Sequence, residues 1–166
     1  MTDTLPIRHR LPDISPRAYE HPADRAATAA LASIPMLETV IRRLTEMQYE
    51  RAFHQLYLAN SVKIGPNQLP DIWHNYLHVL ETLDMPDQYD LYITQTPIAN
   101  AFVMGTDKPI IVLNSGLVSL LDDSQIQAVL AHEVGHILSD HVMYRTALLI
   151  LLLIGNASGL PLFAGM

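Results

Sequence analysis

The chain has 166 residues and 49% of them are apolar, so it suits one domain with a hydrophobic core. Its net charge of -7 and its ten scattered Lys and Arg residues argue against a nucleic-acid partner, because phosphate binding depends on clustered basic side chains. The absence of cysteine excludes disulfides and thiolate metal sites and fits a reducing compartment, so any metal must be bound by His, Asp or Glu.

Residues 1–22 contain four prolines and several basic residues, which predict a flexible, extended, weakly basic tail. This segment has no apolar run of the kind found in signal peptides. We therefore expect no signal peptide, and we expect the protein in the cytoplasm or at the cytoplasmic face of a membrane. Residues 23–166 are predicted to form the main unit.

Two helical regions are predicted after the tail. The Ala-rich composition of residues 23–34 favours a helix, and Pro35 interrupts it. A long amphipathic helix ending near Asn60 is then predicted by apolar residues at helical spacing, namely Leu37, Val40, Ile41, Leu44 and Met47.

A third helix and three strands follow. Gly65-Pro66-Asn67 indicates a turn, and Pro70-Asp71 begins a helix that ends near Met85. Its apolar face consists of Ile72, Tyr76, Val79, Leu80 and Leu83. Strands are predicted at residues 89–94, 100–104 and 110–113, the last two forming an antiparallel hairpin.

Asp122-Asp123-Ser124-Gln125 and Gln127 then offer N-cap and capping-box chemistry for a further helix. No internal repeat or low-complexity array is present. The order of helices, strands and helix predicts one α+β unit that is predominantly helical.

That last helix carries the pattern HExxH at His132 to His136, which is the zinc-site signature of metallopeptidases. Residues four apart lie on one helical face, so two imidazoles can converge on one tetrahedral ion. A helical wheel separates these histidines from a core face formed by Ile126, Leu130, Val134 and Ile137. Glu133 lies between the two faces, where a general base is required. Gly135 is either exploited by close packing or simply tolerated by the helix.

Three motifs in the same order resemble the HtpX and CaaX-prenyl-protease family of zinc metallopeptidases. They are Asn100-Ala101-Phe102, the segment Ile111 to Leu117, and Ala131 to Ile137. The likeness extends from about Tyr49 to His141. It implies a zincin-like fold of the gluzincin type, in which a small sheet packs on the HExxH helix and a Glu on a later helix is the third zinc ligand.

The resemblance implies that His132 and His136 bind one Zn²⁺ ion and that Glu133 is the catalytic base of an endopeptidase acting through a zinc-activated water. It also implies that Asn100, Ala101 and Phe102 lie at the rim of the cleft, where a polypeptide substrate adds to the strand edge by main-chain hydrogen bonds. The alternative for these three residues is an ordinary edge strand with Phe102 in the core.

This sequence departs from the family pattern at one point, because no Glu follows His136. The third ligand therefore has no counterpart, and the fold is expected to be incomplete at the carboxyl end, as in a truncated chain. Two histidines supply half of the usual tetrahedral ligand set, which predicts weak zinc binding unless another group completes it. Asp140 is expected to support a ligand rather than to bind the metal.

Three other histidines have simpler interpretations than metal binding. His74 and His78 also stand four apart, but they share a polar helix face, which favours an exposed surface over a second metal pair. His141 corresponds to a family position that is often His but is not a ligand, which favours a packing or helix-terminal role.

Residues 146–166 contain no charge, and eight successive apolar residues form positions 147–154. The run is too short for a spanning helix, which needs about 20 apolar residues. Two interpretations remain open, namely membrane association through this segment and a core helix.

The leading functional hypothesis is a zinc-dependent metalloendopeptidase that hydrolyses unfolded or membrane-associated polypeptides. The alternative is a catalytically inactive fragment or peptide-binding module that lacks the third zinc ligand. A third hypothesis, a membrane-anchoring or partner-binding role, would make the HExxH pattern accidental.

Overall fold

The structure of the chain is a computed structural model. The structure describes residues 9–35, 58–105 and 108–139 together with the single positions Leu37, Thr39, Arg43, Gln55 and Val142. The amphipathic helix predicted to end near Asn60 falls largely outside the described residues. The apolar segment 146–166 lies wholly outside them.

The described elements follow the order expected of an α+β unit. In chain order they are a short 3-10 helix Pro16–Ala18, α1 Pro22–Ala32, β1 Ser61–Lys63, α2 Pro70–Thr82, β2 Asp90–Thr94, β3 Ala101–Met104, β4 Ile110–Asn114, α3 Ser115–Leu120 and α4 Asp123–Leu138. The helices predicted at residues 23–34 and from Pro70, and the three predicted strands, are confirmed within a few residues.

The four strands form one sheet in the order β1-β2-β4-β3. β3 and β4 pair antiparallel, as the hairpin pattern predicted, whereas β2 and β4 pair parallel. The connection from β2 to β3 must therefore pass the end of β4, and β3 becomes an edge strand. β1 was not predicted, because the sequence there was interpreted as a turn.

The main core lies between one face of the sheet and the two helices α2 and α4. Tyr76 of α2, Leu91 of β2, Ile111 of β4 and Leu130 of α4 are completely buried in it. The apolar residues predicted for α2 occupy this core, since Ile72, Val79 and Leu80 are buried there too.

A second, smaller cluster covers the opposite face of the sheet. Met104, Ile110 and Val112 are buried in it, and Phe102, Tyr92 and Leu58 pack against it. The sheet is thus apolar on both faces, and α4 lies against only one of them. None of the described helices has the length and apolar character needed to cross a membrane.

Candidate metal centre on helix α4

The start of α4 is defined by a capping box. The Asp122 carboxylate accepts a hydrogen bond from the backbone N–H of Gln125 at 2.9 Å, and the Gln125 side chain accepts one from the backbone N–H of Asp122 at 3.0 Å. The Gln125 N–H holds the pKa of the Asp122 carboxyl below its usual value. The predicted capping box is confirmed, and it sets the register of the helix that carries the candidate ligands.

Packing then fixes the rotation of α4 about its axis. Ile126, Leu130 and Val134 are buried against α2 and the sheet, as the helical wheel predicted. His132 is consequently exposed and His136 is half-buried. The core residues therefore hold both histidines on the side of the helix that faces away from the hydrophobic core.

The two imidazoles converge. The Nε2 atoms of His132 and His136 lie 3.1 Å apart, with ring centroids 4.6 Å apart and ring planes at 76°. Two nitrogen ligands on one tetrahedral zinc ion, each at the usual 2.0–2.1 Å, are separated by about 3.3 Å. The pair therefore fits two corners of a zinc site.

Glu133 occupies the boundary between the two faces. Only 5% of this residue is exposed, and its Oε2 atom is shielded from solvent. A carboxylate in this position is separated from bulk water, although it lies one residue from His132.

Within the described part of the chain, no three His, Asp or Glu side chains are arranged to hold a metal ion. The predicted supporting residue Asp140 and the ambiguous His141 lie outside the described residues. His132 and His136 therefore form the candidate ligand pair on this part of the structure, and a complete ligand set needs further donors.

A cleft of about 470 Å³ opens over the histidine-bearing face of α4. One wall is a stripe on α4 formed by Ala128, Ala131, His132, Gly135, His136 and Ser139, which we call the ligand stripe. The amino-terminal segment that precedes α1 also lines the cleft, through Leu11, Ile14, Tyr19, Glu20 and His21, and so do Leu83 and Asp24.

This contribution of residues 10–21, which we call the 10–21 segment, was not predicted from the sequence. The prolines of the region indicated an extended tail, and neither spacing nor composition linked Tyr19 to a helix more than a hundred positions away. The Tyr19 hydroxyl group donates to the carbonyl oxygen of Gly135 at 3.3 Å and lies 3.1 Å from Oγ of Ser139.

Asn100, Ala101 and Phe102 do not line this cleft. They lie at the start of the edge strand β3, which packs beside α4. Ala101 faces the main core, whereas Phe102 packs on the opposite face of the sheet with Met104 and Val112. The Phe102 side chain thus matches the edge-strand alternative, and any contact with a substrate here would involve the main chain.

His78 is engaged by a neighbouring helix. Its Nδ1 atom lies 2.6 Å from the side-chain nitrogen of Gln127, so the ring links α2 to α4. His74, four residues earlier, is exposed. The arrangement agrees with the simpler interpretation of this pair as a helix surface.

Convergent imidazoles at positions i and i+4 with an intervening carboxylate, carried by a helix on an α+β scaffold, are characteristic of metallopeptidase domains. The model of peptidase family M48 matches residues 66–164, which include β2, β3, β4 and α4. The chain belongs to this family, and the resemblance to HtpX-type metallopeptidases is confirmed.

Curated relatives support the same assignment. The chain is 33% identical over 156 residues to the plastoglobule-localized metallopeptidase 48 of Arabidopsis thaliana. The aligned region covers 93% of this chain and 44% of that protein. It is 34% identical over 82 residues to an HtpX protease homolog of Tropheryma whipplei, covering 48% and 28% of the two chains. An HtpX protease homolog of Bacillus subtilis is 32% identical over 91 residues, covering 54% and 30%.

The chain therefore spans less than half the length of these relatives. No solved structure matches it significantly.

Proposed function

We propose that this chain forms the zinc-binding part of a gluzincin-type metalloendopeptidase that hydrolyses unfolded or membrane-associated polypeptides. The observation that carries the proposal is the 3.1 Å separation of the His132 and His136 Nε2 atoms beside the buried Glu133. Membership of peptidase family M48 supports the reaction class.

His132 and His136 would hold one Zn²⁺ ion through their Nε2 atoms. The ion would supply Lewis acidity, which polarises a scissile carbonyl and acidifies water. Leu130 and Val134 are completely buried and hold α4 in the core. Because α4 is fixed in this way, its two imidazoles would fix the position of the ion.

Glu133 would act as the general base. Its carboxylate would take a proton from the attacking water and deliver it to the nitrogen of the leaving amine. Burial keeps bulk water away from this carboxylate, so the proton is retained near the reacting atoms between the two transfers.

The substrate would bind as an extended chain along β3. An edge strand can accept a further strand through main-chain hydrogen bonds, and such pairing depends little on side-chain identity. Asn100 is held at the start of β3 by its carbonyl oxygen, which accepts a hydrogen bond from the backbone N–H of Asn114 at 3.0 Å. An unfolded segment can offer the extended backbone that this mode requires.

The apolar residues 146–166 would bring the protein to a membrane, at its cytoplasmic face. This part of the proposal rests on the uncharged sequence and on the plastoglobule location stated in the name of the Arabidopsis relative. Flotation with liposomes should depend on residues 146–166, and equal flotation of the deletion variant would refute it.

A second candidate function is a peptide-binding module without catalysis. It is favoured by the lack of a three-residue ligand cluster among the described residues. Such a module would retain the β3 edge and the cleft but would bind zinc weakly.

Cleavage of reduced casein distinguishes the two functions. Glu133→Gln keeps the size of the side chain and removes the base, so the proposed enzyme should lose at least about a hundredfold in rate. Glu81→Gln, at an exposed position on α2, is the matched control and should cleave normally. Equal cleavage by wild type and Glu133→Gln would remove Glu133 as the base, and casein binding without any cleavage would favour the binding module.

A further inference from the structure

The 10–21 segment bridges the carboxyl end of α2 and the ligand stripe of α4. At its first end, the backbone N–H of Leu11 donates to the carbonyl oxygen of Thr82 at 2.8 Å, and Arg10 forms an ion pair with Asp84. At its second end, Tyr19 bonds to Gly135 of α4. The segment is therefore attached at two places on either side of the cleft.

Tyr19 lies on the same stripe as both candidate ligands. Residues 132, 135, 136 and 139 follow the spacing of one helical face. The Tyr19 hydroxyl contacts the carboxyl end of that face, at Gly135 in the last turn and at the C-cap Ser139. The Tyr19 ring also packs on α4, since a β-carbon at Gly135 would lie 3.5 Å from its Cε2 atom. Partial burial raises the pKa of Tyr19 above its usual value.

The segment is attached weakly enough to be released. Its short 3-10 helix contains no buried residue, and Leu11 and Tyr19 are each about two-fifths exposed. Among the described residues, hydrogen bonds at the surface from Leu11 and Tyr19 and the ion pair of Arg10 with Asp84 attach it to α2 and α4, and such contacts contribute little individually. Segments of this kind open locally without unfolding of the core.

Glu20 strengthens the wall that the segment forms. Its side chain is 8% exposed and makes an ion pair with Arg25 of α1 at 3.4 Å. The segment and the first turn of α1 are thus joined, and together they line the cleft that also contains His132. A polypeptide entering the cleft from this side would have to displace them.

We propose that the 10–21 segment is an autoinhibitory strap, which in its docked position keeps extended polypeptides away from the ligand stripe of α4. The strap regulates the site described under the proposed function and rests on that proposal. A polypeptide that reached from β3 to the ligand stripe would meet the docked strap, so weakening the Tyr19 contact should both expose the stripe and strengthen polypeptide binding.

The absence of cysteine allows a direct test of docking. Ser139→Cys introduces a single thiol beneath the Tyr19 hydroxyl, and its reaction rate with a disulfide reagent such as DTNB reports whether the stripe is covered. Adding Tyr19→Ala should raise the rate about tenfold, and Tyr19→Phe should give an intermediate rate. Tyr92→Ala in the same background is the control, because Tyr92 packs on the face of the sheet opposite α4 and does not line the cleft.

The second measurement is the affinity for fluorescent, reduced and carboxymethylated casein in metal-free Glu133→Gln protein. Tyr19→Ala should lower the dissociation constant by about the same factor as it raises the thiol rate, whereas Tyr92→Ala should leave it unchanged. Equal rates of thiol reaction in Ser139→Cys with and without Tyr19→Ala would show that the 10–21 segment does not cover the stripe, and would overturn the proposal. Faster thiol reaction with unchanged or weaker casein binding would overturn its inhibitory role.

These readouts are independent of catalysis. If Glu133→Gln fails to reduce casein cleavage, the proposed role of Glu133 falls, while the thiol rates still measure docking. If cleavage depends on Glu133 but the thiol rates are equal, the enzyme proposal stands and the strap is rejected.

Discussion

A β-carbon on Gly116 would stand 2.4 Å from the carbonyl carbon and oxygen of Pro97. This close approach occurs where the connection between β2 and β3 passes the start of α3. The contact is reinforced by Thr96, whose carbonyl oxygen accepts hydrogen bonds from the Gly116 N–H at 2.9 Å and from the Ser115 hydroxyl at 3.0 Å. The glycine of the Ser-Gly-Leu motif is therefore required by the crossover that positions β3.

Gly116→Ala should destabilise the protein by about 1–3 kcal/mol, because the added methyl group meets backbone atoms that cannot rotate away. Urea unfolding monitored by circular dichroism measures the change. Gly65→Ala is the matched control, since a β-carbon there has no neighbour within 4 Å. Equal unfolding free energies for the two variants would contradict the close approach seen at Pro97.

Gly135→Ala should change stability in the opposite direction to Gly116→Ala and make the protein more stable. The new β-carbon would lie 3.5 Å from the Tyr19 ring, which is an ordinary contact, so the helix gains stability without a clash. We expect an increase of about 0.5–1 kcal/mol in the free energy of unfolding. The geometry supports the alternative in which the helix merely tolerates this glycine, and a destabilised variant would instead indicate that close packing needs it.

Tyr76 predicts a pH dependence of stability. It is completely buried, its hydroxyl donates to the carbonyl oxygen of Tyr89 and it accepts from the Tyr89 N–H, both at 2.8 Å. Burial raises the pKa of Tyr76 from 10.0 to about 12. The folded state therefore keeps a proton that the unfolded chain loses, so this contribution is fully present below pH 10 and is lost as the pH rises towards 12.

Tyr76→Phe should lower the free energy of unfolding by about 1–3 kcal/mol at neutral pH, because both hydrogen bonds to Tyr89 disappear. The difference from wild type should shrink between pH 10 and pH 12. Tyr92→Phe, whose hydroxyl makes one 3.3 Å hydrogen bond at the surface, should change stability by less than about 0.5 kcal/mol. Denaturant unfolding at several alkaline pH values measures these differences in stability. A difference between wild type and Tyr76→Phe that stays constant with pH would refute the predicted pH dependence.

Local features were predictable from the sequence. The capping box at Asp122, the buried stripe through Leu130 and the hairpin of β3 and β4 each depend on residues close in the chain, and each was confirmed. The convergence of His132 and His136 follows from one turn of helix in the same way.

Features that depend on distant pairing were not predictable. The parallel pairing of β2 with β4 arises because β4 lies between β2 and β3, an order that no local pattern encodes. The contact between Tyr19 and Gly135 joins positions 116 residues apart through one hydroxyl group. The periodicity of apolar residues does not predict such a contact, so the lining of the cleft by the 10–21 segment could be found only from the structure.

Zinc should stabilise the folded protein through His132 and His136. A ligand that binds the folded state adds stability according to its concentration relative to its dissociation constant, about 2.7 kcal/mol at a hundredfold excess over that constant. Thermal unfolding at increasing zinc concentration should therefore show a rising midpoint for wild type. His132→Ala and His136→Ala should each remove most of the rise, because a single imidazole cannot chelate the ion.

His74→Ala is the control for this zinc titration, since His74 is exposed on α2 and outside the ligand stripe. It also corrects for zinc bound by histidines of the unfolded chain, which lowers the midpoint equally in all three substituted proteins. A midpoint that rises equally in His74→Ala and His132→Ala would show that zinc binds elsewhere. A rise that survives in His132→Ala but not in His136→Ala would assign the metal to His136 and a donor other than His132, which would break the proposed ligand pair.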